Sequence, residues 1–164
     1  MLINSGNFRI NLSGTGKRNS IPFSREYREE EPEHFEAVQP EFLYKGGSIN
    51  NQANLSYLSG MGIRTIICLL DPKDHEYFIQ QEQGLIKDHN KQSGDNLKFV
   101  NYSLFKLNEK MKTDEGREEI KKDFKEIIKR NEAPFYMHCL FGSMTSLNAE
   151  EIFRKASHEL ARNQ

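Results

Sequence analysis

The sequence has no tryptophan, only two cysteines and five prolines, and no long apolar run. Two thiols, Cys68 and Cys139, are too few for the disulfide framework of a small secreted domain, and each sits among apolar neighbours. A reducing compartment is the expectation. With 23 basic against 24 acidic side chains the formal net charge is -1, so there is no global electrostatic footprint for nucleic acid or an anionic membrane. Any anion site must be local. The longest apolar runs, such as residues 66–70, fall far short of the roughly 20 residues that span a bilayer. The start Met1-Leu2-Ile3-Asn4 also lacks a basic region followed by an apolar core. These absences predict a cytoplasmic protein with no nucleic-acid partner and no transmembrane segment.

What is present fits one α/β unit: 36% hydrophobic and 29% charged residues over 164 positions are enough for a single core. Residues 1–40 show no sustained helical or strand period and read as an extended N-terminal arm, leaving 41–164 as the domain. Within the arm, Glu29-Glu30-Glu31 reads as a solvated charge cluster. Gly14-Thr15-Gly16-Lys17-Arg18 fails as a nucleotide-binding loop, because Asn11 stands where the first glycine belongs and Arg18 where a hydroxyl belongs.

From Glu41 the pattern is regular. A short strand at residues 42–44 precedes a helix capped by Asn50 or Asn51, with Leu55, Leu58 and Met61 on its apolar stripe and Gly60 and Gly62 at its end. The near-continuous apolar run of residues 63–70 reads as a strand buried on both faces of a parallel sheet, stopped by Asp71-Pro72. A polar helix with Tyr77, Ile79, Leu85 and Ile86 follows to about Gly94, then a strand over residues 97–102. A loop through Asn108, Glu109 and Lys110 leads to a helix capped by Thr113 or Asp114, whose Ile120, Phe124, Ile127 and Ile128 share one face. Residues 134–138 form the last strand, and a final helix carries Leu147, Ile152, Phe153, Ala156 and Leu160. The alternation predicts a central, mostly parallel sheet flanked by helices.

Chemistry concentrates at the last strand, where the run His138-Cys139-Leu140-Phe141-Gly142-Ser143-Met144-Thr145-Ser146 goes from buried strand through a tight loop into a helix. Such a loop aims successive backbone N–H groups and a helix N-terminus at one spot, making an anion site without a basic side chain. A cysteine at its mouth is expected to be partly thiolate, the nucleophilic form.

The run resembles the loop of the cysteine-dependent protein tyrosine and dual-specificity phosphatases, His-Cys-x-x-Gly-x-x-Arg-Ser/Thr. The resemblance covers Phe42 to about Leu160 and includes residues 43–47, 54–58, 62–67 and 99–102 as softer matches. It implies Cys139 as nucleophile, residues Leu140 to Thr145 as the phosphate cradle, and His138 and Ser146 as supporting groups. Two departures oppose efficient catalysis. Thr145 occupies the arginine position, removing a bidentate charged clamp; by analogy with losing one oxyanion donor, about 10²–10³ in kcat is at stake. Lys106 stands near the position of the general-acid aspartate, and Glu109 is the only near substitute.

Each residue also has a plainer reading. His138 is either a packed histidine bonding the loop backbone or a group tuning Cys139, and Cys139 either a nucleophile or an inert buried thiol. Cys68 is a core residue or a redox partner that resolves an oxidised Cys139. Lys106 is a solvated lysine. The resulting expectation is a phosphatase-like domain, catalytically impaired, that binds phosphate or a phosphorylated partner without metal or cofactor. The alternative is a slow cysteine-dependent phosphatase that recruits positive charge from Arg64, Lys45, or Arg18, Arg25 and Arg28 of the arm.

Overall fold

A computed structural model describes residues 30–140 and 144–162. Its elements are β1 (Glu36–Gln39), β2 (Leu43–Gly46), α1 (Gln52–Gly60), β3 (Thr65–Cys68), α2 (Pro72–Ser93) and β4 (Lys98–Asn101). The second half adds α3 (Leu104–Lys110), α4 (Asp114–Arg130), β5 (Phe135–His138) and α5 (Met144–Arg162). The five strands form one sheet in the order β1-β2-β5-β3-β4, with β1 antiparallel and the others parallel. The expected mostly parallel sheet flanked by helices is therefore present.

Local sequence explains most helix ends. The Asn51 side chain accepts the Asn54 amide and starts α1, and Gly62 takes a left-handed φ of 82° just beyond its end. Asp71 caps α2 with Pro72 in its first turn, and Gly94 (φ 78°) closes it. Thr113 caps α4, with Asp114 and Glu115 in the first turn and Lys129 and Arg130 in the last, complementing the helix dipole.

The sheet separates two layers. On one face Leu43, Ile67, Phe135 and Met137 pack with Leu107 of α3, Ile120 and Phe124 of α4, and Ala149, Phe153 and Ala156 of α5. On the other, Tyr44, Ile66 and Tyr136 pack with Leu55 and Leu58 of α1 and Ile86 of α2.

Three expectations need correction. Residues 36–39, assigned to the arm, form edge strand β1, and Phe35 before it is buried against Tyr44 and Tyr136. Residues 1–29 of that arm, with Glu29, the Gly14-to-Arg18 run and the three arginines, lie outside the described residues. Residues 108–110, assigned to a loop, end helix α3. A seven-residue helix is marginal by itself, and this one is held by the fully buried Leu107 and by packing against α4. Met61, placed on the apolar stripe of α1, is its C-cap and is 41% exposed.

Candidate functional site

The segments after β2 and β3 lead to α1 and α2 on one face of the sheet, whereas the segment after β5 leads to α5 on the other. Because β5 lies between β2 and β3, the connections diverge at its carboxyl end. In open α/β sheets this is where ligands enter. Cys139 is the first residue beyond β5, and α5 begins at Met144. The Leu140 carbonyl accepts a hydrogen bond from Ser48 Oγ at 3.4 Å, so the turn after β2 abuts the segment after β5. Phe141, Gly142 and Ser143 lie outside the described residues, as do the side chains of Met144, Thr145, Ser146 and Leu147.

Alternation sends the side chains of His138 and Cys139 to opposite faces. Cys139, 7% exposed, packs on the α5 side in the cluster of Leu69, Leu107 and Ala149. His138 is fully buried on the α2 side, stacked on Tyr136 with centroids 5.7 Å apart. Its Nε2 lies 2.8 Å from Glu82 Oε1, an ion-pair distance. Among the described residues neither atom, nor His138 Nδ1, has a well-formed hydrogen bond, although the Glu82 carboxylate and the Cys68 sulfur are close enough to act on the ring. The sequence-level picture of a histidine bonding the loop backbone is thus replaced by one facing Glu82 and Cys68. Burial disfavours the imidazolium, but the Glu82 carboxylate and the Cys68 sulfur outweigh it, and the His138 pKa stands well above the ordinary imidazole value.

Cys68 sits opposite His138 in the β3–β5 register. Its side chain joins Leu70 and Ile79, with Phe99 and Leu140 against them, while Cys139 belongs to the cluster across the sheet. The two thiols are close in register but opposed in direction. A disulfide between them would have to pass through the sheet, which counts against Cys68 as a resolving thiol.

The candidate charges are also placed. Arg64 precedes β3, and its amide donates to the Pro134 carbonyl ahead of β5. It therefore lies at the amino end of the sheet, a strand length of roughly 13 Å from the Cys139 end. Lys45 faces α5 but is held by Glu150 at 3.0 Å and Glu36 at 3.3 Å. Burial opposes its charge, yet the two carboxylates raise its pKa. Glu109 is exposed on α3 and paired with Lys112 at 2.7 Å. Lys106, also exposed on α3, lines an open groove of about 480 Å³ with Asp71, Lys73, Asn101, Ser103 and Phe105. The groove lies at the carboxyl ends of β3 and β4. Its floor is fixed: the Asn101 amide donates to the carbonyls of Cys68 and Leu70, and Asp71 accepts from the Lys73 amide and from Ser103. Those last two hydrogen bonds hold the Asp71 carboxyl below its usual range, so Asp71 caps a helix and is a poor proton donor.

Glu82 is the residue that sequence reasoning missed. It is 2% exposed, on the buried stripe Ile79, Glu82, Ile86, His89 of α2. The signal was available: a carboxylate three residues after one apolar stripe position and four before the next needs a buried partner. Compared with known proteins, the chain matches no family model and no curated protein.

Proposed function

We propose that the chain is a phosphatase-like domain that binds inorganic phosphate or a phosphorylated protein partner at the segment following β5 and turns it over poorly or not at all. The observation that carries the reading is the position of Cys139. It follows the central parallel strand where the chain connections diverge, five residues before α5 starts, within a run that resembles the phosphatase loop. A helix N-terminus and the amides ahead of it favour an anion there. Turnover asks for more: a cation to balance charge growing on the phosphoryl group and an acid for the leaving oxygen. Position 145 supplies a neutral hydroxyl, and Glu109 is exposed and bound to Lys112. Near-complete burial of Cys139 also suits recognition better than nucleophilic attack.

The alternative of a slow phosphatase ranks second, because Arg64 is at the wrong end of the sheet and Lys45 is committed to two carboxylates. Two measurements on the full chain separate the readings. Titrating the ¹⁵N-labelled protein with inorganic phosphate should shift amides of residues 139–146 at millimolar concentrations, while an aryl phosphate is hydrolysed barely above background. No shift overturns the binding reading. Brisk hydrolysis that Cys139→Ser abolishes makes the protein an enzyme instead.

A further inference from the structure

Cys68, Glu82 and His138 come from three elements, β3, α2 and β5, and their ligating atoms all lie within 4.8 Å of one another in the interior. We propose that they form a binding site for a single divalent transition-metal ion of the zinc class.

Three observations carry this. The first is the donor set. One sulfur, one imidazole nitrogen and a carboxylate suit zinc and its neighbours, whereas magnesium and calcium take oxygen ligands. The second is the state of the donors. Glu82 Oε1 and both ring nitrogens of His138 are buried without a hydrogen bond among the described residues, although buried polar atoms almost always have one. Glu82 Oε1 and His138 Nε2 lie 2.8 Å apart. Metal bonds of about 2.0–2.2 Å at a tetrahedral angle would hold such atoms roughly 3.4 Å apart, a change within reach of a small rotation of the Glu82 side chain. The third is charge. A thiolate and a carboxylate cancel a divalent ion, and the imidazole is neutral when it ligates. Binding therefore leaves a neutral cluster, with the proton of the Cys68 thiol displaced to solvent by the ion.

The scaffold is rigid. Register sets Cys68 beside His138, and the stripe of α2 sets Glu82 over them. The three protein donors leave the fourth position of a tetrahedral ion to a water molecule. The proposal is independent of the phosphate reading, since Cys139 lies on the other face of the sheet.

The test uses the full chain refolded from denaturant with zinc(II) or cobalt(II), so that the ion can enter before the interior closes, followed by dialysis. One ion per chain should be retained in either case, with a higher melting temperature than the metal-free protein. The cobalt form should show a sulfur-to-cobalt band in the ultraviolet and the intense visible bands of four-coordination. Cys68→Ala should lose the sulfur band and Cys139→Ala should keep it. If Cys68→Ala does not fold, the spectrum of the unaltered chain and of Cys139→Ala decides. A six-coordinate spectrum without a sulfur band, failure to retain either ion, or a band that disappears with Cys139→Ala overturns the proposal.

Discussion

A threonine hydroxyl at position 145 offers one neutral donor where a guanidinium offers two charged ones in fixed geometry. If the segment after β5 binds phosphate, Thr145→Arg should tighten phosphate binding by about 1.5–3 kcal/mol, the range for hydrogen bonds to charged groups. Calorimetric titration of both proteins reads this directly. Turnover of an aryl phosphate should rise, but stay below that of a complete enzyme, because Lys106 and the paired Glu109 leave no acid for the leaving group. Lys106→Asp should therefore help only together with Thr145→Arg, and the four kinetic constants of that cycle measure the coupling. Equal gains from Lys106→Asp in both backgrounds would remove the clamp from the argument. At this scale the sequence shows residue types but not directions. Cys68 and Cys139 look like neighbours at adjacent strand ends, yet alternation turns their thiols to opposite faces.

Glycine has opposite meanings in two of the helices. Gly116 lies in the first turn of α4, where its amide donates to Thr113 Oγ1 at 3.0 Å. A Cβ there would run into backbone atoms of Lys110 at the end of α3, with its Cα at 2.8 Å. Those atoms cannot swing aside, so Gly116→Ala should cost about 1–3 kcal/mol despite the better helix propensity of alanine. Gly84 is exposed in mid-α2, and a Cβ added there would meet nothing within 4 Å. Gly84→Ala should therefore add about 0.5–1 kcal/mol of stability. Urea unfolding of the two variants checks the pair, and a shared sign would mean that α3 does not abut α4. The same junction explains why α3 was illegible. Its one deeply buried side chain among the described residues, Leu107, gives no period, and the helix exists because α4 and the sheet give that side chain somewhere to go.

Across the whole molecule, acid should act strongly on the contact between α4 and α5. Glu159 of α5 bonds Lys121 and Lys125 of α4, and those hydrogen bonds and charges pull its pKa to about 2 from an ordinary value of 4.5. A carboxylate whose folded pKa is depressed stabilises the fold above its unfolded pKa, and that stabilisation is lost as pH falls through the folded value. The window is therefore from about 4.5 down to about 2. Glu159→Gln should flatten the fall in melting temperature across this window and leave its slope above pH 5 unchanged. Since the carboxylate is open to solvent, added salt should shrink the difference. A variant with the same acid slope as the parent would rule the contact out as a source of acid sensitivity.

By itself the sequence determined the alternation of strands and helices, narrowed the α1 cap to Asn50 or Asn51 and the α4 cap to Thr113 or Asp114, and placed the closing Gly94 and the short buried strand that delivers Cys139; the structure chose Asn51 and Thr113 and added Asp71 as the cap of α2. These are local matters: hydrogen-bonding side chains, left-handed backbone and hydrophobic period act over a few residues, and are written where they act. Only the tertiary structure decided that Phe35 and β1 complete the sheet, that β5 is central, and that Arg64 stands at the far end from Cys139. It alone joined Glu82, fourteen positions after Cys68 and 56 before His138, to both. Strand order and facing direction depend on which distant surfaces are buried against each other, and no stretch of chain carries that information alone.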